Sequence, residues 1–337
     1  MRSTSNENIK ETLYDSSEPF LLVHPEYNLK SLPTWLRDNI EMARVYGNKK
    51  KGVILPDGRK YHLDNSLNDL TGREWTFFIN SVFATRYSTN GKDSYAHHIR
   101  KIHPTPKPPQ LMRDLISFFT KENELVFDAF MGVGGTLLGA ALCGRKAAGI
   151  DLNIKYIEAY KNAATELDLT VFDTVCADAL QYLKDPNSVE TLTKGLPISL
   201  FLIDPPYSNM MSKEKTGADI SVYGKTATPF TELSADLGNM DRSQFLQALK
   251  ESIELIMPHI KFRGYVLIFI KDLQPHKKNT NLLHSEVINT INEIPNLYYK
   301  GLKIWVDETA KLYPYGYPFS FVANQIHQYI LVFRKEK

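Results

Sequence analysis

The sequence is short of several features that would mark a special class of protein. Its 337 residues hold two cysteines, Cys143 and Cys176, in no CxxC or Cys/His pattern. That excludes a disulfide framework, and the spacing of histidine and cysteine suggests no metal site. Both cysteines fall in apolar segments and read as small buried hydrophobes of a reducing compartment. No apolar run approaches the length of a membrane span. Residues 1–10 are polar, with no apolar core of a signal peptide, so the expected location is cytoplasmic, away from any membrane. Charge of one sign is lacking too. The net charge is +2, so a polyanion would be met by local basic patches rather than by a global field. No internal repeat is visible. The apolar fraction of 43% is enough for an ordinary core, and the length allows one large α/β domain with an extension, or two domains.

The stretch 199–207, Ser-Leu-Phe-Leu-Ile-Asp-Pro-Pro-Tyr, organises the rest. Its first residues form a short run of buried-strand type. Pro205 and Pro206 cannot donate to a sheet ladder, so the strand ends there. In open α/β sheets the carboxyl edge is where ligands bind. Asp204, Pro205, Pro206 and Tyr207 thus present a carboxylate, fixed backbone carbonyls and a ring at that edge. A planar base with an exocyclic amine suits them: the carboxylate and a carbonyl accept two N–H bonds, and the ring stacks. A bare strand end, with Asp204 as a cap and Tyr207 as core, is the structural alternative.

Ahead of this stretch the chain falls into two parts. In residues 1–100, Ser31 to Leu36 reads as a helix start with Pro33 in its first turn, and Ile40, Ala43 and Val45 extend its apolar face. Residues 53–55 and 60–63 flank Pro56-Asp57-Gly58-Arg59, a hairpin signal. Basic and aromatic residues are mixed here (Lys49 to Lys51, Arg59, Arg73, Trp75, Arg86, His97, His98, Arg100, Lys101), which suits a polyanion with stackable bases and equally a solvated surface.

From Lys101 the pattern sharpens. An extended stretch, Ile102 to Pro109, leads into a helix over 110–120. A strand over 123–128 then runs into a glycine-rich turn, Ala129 to Thr136, and a small-residue helix. A second strand ends at Asp151. This unit lets backbone amides approach a ligand, with Asp151 at about the distance of a ribose-binding acid. A third strand ends before Asp178, which reads equally as a helix cap or as an acceptor for an adenine amine. The strand before Asp204 is the fourth, residues 265–270 the fifth, and 302–306 and 329–333 the last two. Residues 208–240 carry little apolar periodicity, and so long an irregular stretch reads as functional or disordered.

These motifs, taken in order over residues 100–337, resemble the S-adenosylmethionine-dependent DNA amino-methyltransferases, which act on adenine N6 or cytosine N4. His103-Pro104-Thr105-Pro106-Lys107-Pro108 resembles the segment lying over the cofactor's methionine part. Asp128 to Thr136 resembles the cofactor loop, with Ala129 and Val133 in place of a common Pro and Ser. Asp151 and Asp178 match the ribose-side and adenine-side acids, and Asp204 to Tyr207 the catalytic motif. The resemblance therefore implies an enzyme with a Rossmann-like class I α/β fold: a mostly parallel seven-stranded sheet, helices on both faces and a terminal antiparallel strand, after an N-terminal extension. It implies S-adenosylmethionine contacts at His103, Pro104, Thr105, Lys107, Asp128, Phe130, Gly132, Gly134, Thr136, Asp151 and Asp178, and catalysis by Asp204, Pro205, Pro206 and Tyr207. An Asp at the head of the motif favours adenine N6.

Cofactor segments precede the catalytic motif, while their wording resembles the subgroup with the opposite order, so the chain looks permuted. The catalytic domain is expected over 101–337, and target recognition in 1–100 and the insertion 208–240. Double-stranded DNA is the expected partner, with a cognate restriction endonuclease or a dimer mate left open. Cytosine N4, RNA or protein glutamine remain as substrates, and a silent DNA-binding subunit as a different class.

Overall fold

A computed structural model describes residues 10, 12–207, 233–272 and 282–337. The chain divides into two compact units: residues 1–80 with 117–122, and residues 81–116 with 123–337.

The first unit is built on a four-stranded antiparallel sheet in the order β1 (Glu18–Pro19), β2 (Arg44–Tyr46), β3 (Gly52–Ile54), β4 (Lys60–His62). The turn at Pro56 to Arg59 closes the β3–β4 hairpin as its sequence predicts, Leu55 N–H and Gly58 N–H bonding to Arg59 and Leu55 carbonyls. Phe20, Leu32, Leu36, Val45, Val53 and Tyr61 form its core. The helix expected from Ser31 is short, Thr34–Arg37, with Pro33 as its N-cap residue. Val45 is not on that helix, because it pairs with Glu18 and Val53 in β2. A second short helix, Gly72–Phe78, starts in a capping box between Thr71 and Glu74.

The second unit is an eight-stranded sheet in the order β5 (Val82–Thr85), β11 (Leu297–Asp307), β12 (His327–Lys335), β10 (Ile260–Ile270), β9 (Ile198–Ile203), β6 (Leu125–Asp128), β7 (Lys146–Asp151), β8 (Asp173–Cys176). All neighbours are parallel except β12, which runs antiparallel to both β10 and β11. This is the expected class I α/β architecture with one strand more. The extra strand is β5, whose residues pair with Ile304 to Asp307. Residues 81–100, expected in the N-terminal extension, therefore fall in the second unit.

Every residue of β9 is buried, so both faces of the sheet are covered. On one face Phe201 and Ile203 join Phe245, Leu249 and Ile253 of the helix Arg242–Ile256. On the other, the helix Gly135–Leu142 sits so close that a Cβ on Gly149 would stand 3.1 Å from Leu137, and one on Gly139 would stand 2.7 Å from Met112 of the helix Pro109–Phe119. The cysteines correct an expectation. Cys143 is half-buried and Cys176 exposed, since Cys176 ends β8, which has a strand neighbour on one side only among the described residues. Among the described residues, no helix is long and apolar enough to cross a membrane.

Candidate active site

Because β6, β7, β8, β9 and β10 are parallel, the residues that follow them gather at one edge. These are Asp128 with Ala129 and Phe130, Asp151 with Leu152, Ala177 with Asp178, Asp204 to Tyr207, and Lys271. The antiparallel β12 brings its beginning, Gln328, to the same edge. A cleft of about 180 Å³ opens there, lined by residues from each of these strand ends and by His103, Thr105, Lys107 and Asp236. A smaller adjoining hollow is lined by Asp128, Gly132, Thr136 and Asp204, among others. Of the residues named from sequence, Pro104 and Gly134 line neither space. Pro104 is exposed, and Gly134 supports the loop from beneath, packed on Tyr160.

The glycine-rich loop Ala129 to Thr136 is held by two acids. Asp128 is buried at the end of β6; Phe130 N–H donates to its Oδ1 at 2.9 Å, and the Thr136 hydroxyl bonds to it as well. Burial pushes its carboxyl up to about 7, against those two bonds. Asp151 accepts the Gly132 N–H at Oδ2 (2.7 Å) and the Asn153 N–H at Oδ1 (2.8 Å). Burial raises it to about 6, and the two backbone bonds oppose the rise. Asp178 is the helix cap of one sequence reading, and it lines the cleft. Its Oδ1 caps the helix Ala179–Leu183, accepting from Leu180 and Gln181, while Oδ2 has no partner among the described residues.

The donor set fits S-adenosylmethionine. Two carboxylates with acceptor capacity toward the cleft suit ribose hydroxyls and an adenine amine, and Phe130, Leu152 and Ala177 supply apolar wall between them. His103 lies edge-on to Tyr156, with ring centroids 4.9 Å apart. Burial pushes its imidazole down to about 4, so it is neutral at physiological pH and adds no like charge to a sulfonium. Its Nδ1 accepts the Thr105 N–H at 3.2 Å, which leaves the proton on Nε2.

At the catalytic motif the Asp204 carboxylate is held at both oxygens. The Tyr207 hydroxyl donates to Oδ1 at 2.6 Å, and the Lys107 ammonium donates to Oδ2. Tyr207 is buried and belongs to the hydrophobic core of this unit. Burial and the Asp204 carboxylate push its phenol well up. The lysine, named from sequence among the cofactor contacts, lines the cleft and pairs its charge with Asp204.

Sequence reasoning missed Asp236, Tyr156, Lys271 and Gln328. Asp236 is buried, caps the turn Leu237–Asn239 and raises the Asp151 carboxyl through its charge. Nothing in its irregular surroundings signals this. Lys271 ends a predicted strand and was findable by the strand-edge rule; burial, and then the Lys107 charge, lower its ammonium. The part of the expected insertion at 208–232 lies outside the described residues.

Residues 5–162 match the family model described as DNA methylase. Over 126 residues the chain is 31% identical to a type II methyltransferase, M1.MboII, of Moraxella bovis, covering 37% of this chain and 45% of that one. Over 124 residues it is 39% identical to the type II methyltransferase M2.DpnII of Streptococcus pneumoniae (37% and 38%). A tRNA (guanine(10)-N2)-dimethyltransferase of Methanocaldococcus jannaschii is 28% identical over 144 residues (42% and 40%). The chain spans less than half the length of each of these relatives. The family match lies over the first unit and the glycine-rich loop, and the Asp-Pro-Pro-Tyr strand end opens into the same cleft as that loop: residues 5–162 are similar to the DNA methylase family.

Proposed function

We propose that the protein methylates the exocyclic amine of a base flipped out of duplex DNA, with adenine N6 as the preferred atom. One observation carries the reading: the Asp204 carboxylate and the Pro205–Tyr207 turn share a cleft with Asp151 and Asp178.

An adenine amine is a poor nucleophile because its lone pair is delocalised into the ring. Asp204 accepts one of its N–H groups and the Pro205 carbonyl the other, which draws the nitrogen toward a tetrahedral form and aims the lone pair. Asp151 accepts the hydroxyls of the cofactor's ribose, and Asp178, through Oδ2, its adenine amine. Bound here, S-adenosylmethionine supplies an electrophilic methyl: the amine forms the new N–C bond, the C–S pair stays on sulfur, and one amine proton is lost to solvent. A base within a duplex cannot reach such a cleft, so it must leave the stack. The connection between β11 and β12 supports an approach of nucleic acid to this edge. It is pinned by two 2.8 Å bonds between Tyr313 backbone and the Asn324 amide, and it exposes the rings of Tyr317, Phe319 and Phe321.

Target recognition falls to the N-terminal region and to residues 208–240. Exchanging either with that of a relative of different specificity should move the target sequence. A restriction endonuclease of the same specificity, or a second copy of the chain, is the partner to seek by co-purification.

The deciding experiment is single-molecule sequencing of DNA from cells expressing wild-type protein or Asp204→Ala. A modified base at one short motif with wild type alone supports the reading and names the base. If the genome is unmodified, labelled methyl transfer to duplex DNA, tRNA and protein is compared. Transfer to tRNA would favour a guanine-amine reading, as the archaeal relative's name suggests. Absence of cofactor binding would favour a silent DNA-binding subunit.

A further inference from the structure

We propose that Lys107 and Tyr207 form a clamp that fixes and orients the Asp204 carboxylate, making Lys107 a positioning residue for the amine acceptor rather than a cofactor contact. The proposal rests on the methyl-transfer reading for its kinetic consequences, but not for its geometry.

The clamp has two separate arms. One oxygen of Asp204 takes the Lys107 ammonium and the other the Tyr207 hydroxyl at 2.6 Å. A carboxylate held at one oxygen still rotates about its last torsion. Held at both, by an ammonium and a phenol from different parts of the chain, it cannot. Each oxygen keeps a second lone pair, and that is the acceptor left for a base amine.

Both arms are themselves fixed. Tyr207 is buried in the core at the end of β9. The Lys107 side chain is 8% exposed, and its ammonium lies 5.2 Å from the centre of the Phe269 ring. Its carbonyl accepts from the guanidinium of Arg100, which also donates to the Val133 carbonyl at 3.2 Å. Arg100 is 1% exposed, and its guanidinium donates to backbone carbonyls of both segments flanking the cleft. A Cβ on Gly135 would stand 2.9 Å from that same Lys107 carbonyl, so the start of the helix Gly135–Leu142 rests on it. An arginine is seldom buried this deeply without a carboxylate partner. Here it joins the two strips of backbone that place Lys107, and the ordinary reason to accept such a burial is rigidity.

The ammonium has an electrostatic consequence as well. Asp204 is 18% exposed and lies near the Asp128 carboxyl, whose ionisation it opposes. His103, from the Lys107 segment and neutral at physiological pH, and the phenol of Tyr207 feel its charge as well, and Lys271 at the end of β10 lines the same cleft. Lys107 is the cation bonded to the carboxylate. Its charge sits directly on the acceptor and makes that arm of the clamp a charge-assisted hydrogen bond.

The test uses the full chain with Lys107→Met, Lys107→Arg, Tyr207→Phe and the Lys107→Met/Asp204→Asn pair. Three quantities are read: the thermal midpoint, the dissociation constant for S-adenosylmethionine by calorimetry, and the single-turnover methylation rate of duplex DNA. Misplacing a reacting group costs about a hundredfold in rate. Lys107→Met should therefore slow transfer by about tenfold to a hundredfold and change cofactor affinity much less. Lys107→Arg should recover most of the rate, and Tyr207→Phe should lower the rate with cofactor affinity unchanged. A cofactor affinity that falls in step with the rate would make Lys107 a cofactor contact and overturn the proposal. So would a Lys107→Met enzyme of wild-type rate. If wild type transfers nothing to duplex DNA, the functional reading fails, and the clamp is judged on unfolding alone: Lys107→Met and Asp204→Asn must then be strongly non-additive in the thermal midpoint, and additivity would refute the clamp.

Discussion

The loop that carries the cofactor acids can be tested through one glycine. Gly134 has φ of +73°, and a Cβ there would stand 2.2 Å from Cδ2 and 2.6 Å from Cγ of Tyr160. Tyr160 has no room to yield. It is fully buried, and its phenol oxygen accepts the Phe172 N–H at 2.8 Å, so the ring is fastened at both ends. Gly144 makes the control: its φ is +70°, and nothing lies within 4 Å of the Cβ it would carry. Alanine at either position meets a left-handed backbone cost of about 1–2 kcal/mol. Alanine at 134 adds an overpacking cost of about 1–3 kcal/mol. At about 2–4 °C per kcal/mol for a domain of 150–250 residues, Gly134→Ala should melt several degrees below Gly144→Ala. It should also bind S-adenosylmethionine more weakly, because a displaced loop loses the Gly132 N–H bond that holds Asp151. Differential scanning calorimetry and titration calorimetry read the two effects. Equal midpoints for the two variants would refute the packing argument, and a lowered midpoint with unchanged cofactor affinity would refute the link from loop to Asp151.

Three other outcomes are expected. Asp204→Ala should abolish transfer while leaving cofactor binding nearly intact, with a rate loss of at least about 10²–10³; equal loss of both would make Asp204 structural. Cofactor affinity should be full above about pH 6, where Asp151 is ionised, and weaken as the pH falls through that value, and Asp151→Asn should remove the dependence. The sign for folding is the reverse: since the folded value lies above that of an ordinary carboxyl, the ionised Asp151 costs stability at neutral pH, and acidification toward about pH 4 relieves that cost. Phe319→Ala with Phe321→Ala should weaken DNA binding by about 1–3 kcal/mol for each ring that stacks on a base, leaving cofactor affinity unchanged; a binding curve superimposable on wild type would remove this loop from the DNA surface.

What was legible in the sequence follows from a single rule. A parallel strand that ends in an acid or a proline puts that residue at the ligand edge, and the strands before Asp128, Asp151, Asp178 and Asp204 all obey it. Chain order and spacing were enough, because each of those residues is set by a strand one step away. Lys107 follows no such rule. Its partner Asp204 is distant in sequence, and its segment is placed by Arg100 through bonds to carbonyls, which no pattern of residue types encodes. Gln328 was hidden for a different reason: β12 runs against its neighbours, so it is the beginning of the strand, not its end, that meets the cleft. The eighth strand, β5, was obscured by composition, since Val82 to Thr85 lies between an aromatic run and a polar, turn-rich one.

The buried Tyr207 changes what its motif implies. Read as a sequence, Asp-Pro-Pro-Tyr offers a ring for a base to stack on, and loss of the hydroxyl would matter little. In the structure the ring belongs to the core and the hydroxyl is bonded to Asp204. The two roles separate cleanly in Tyr207→Phe. That variant keeps the ring, and with it any stacking and its place in the core, while Oδ1 of Asp204 loses its donor. If the ring is what the reaction uses, the rate is unchanged. If the hydroxyl orients the acceptor, the rate falls with the ring still in place, and the loss appears in the rate of transfer rather than in the affinity for DNA. The bond at 2.6 Å, from a buried phenol to a carboxylate 18% exposed, favours the second outcome.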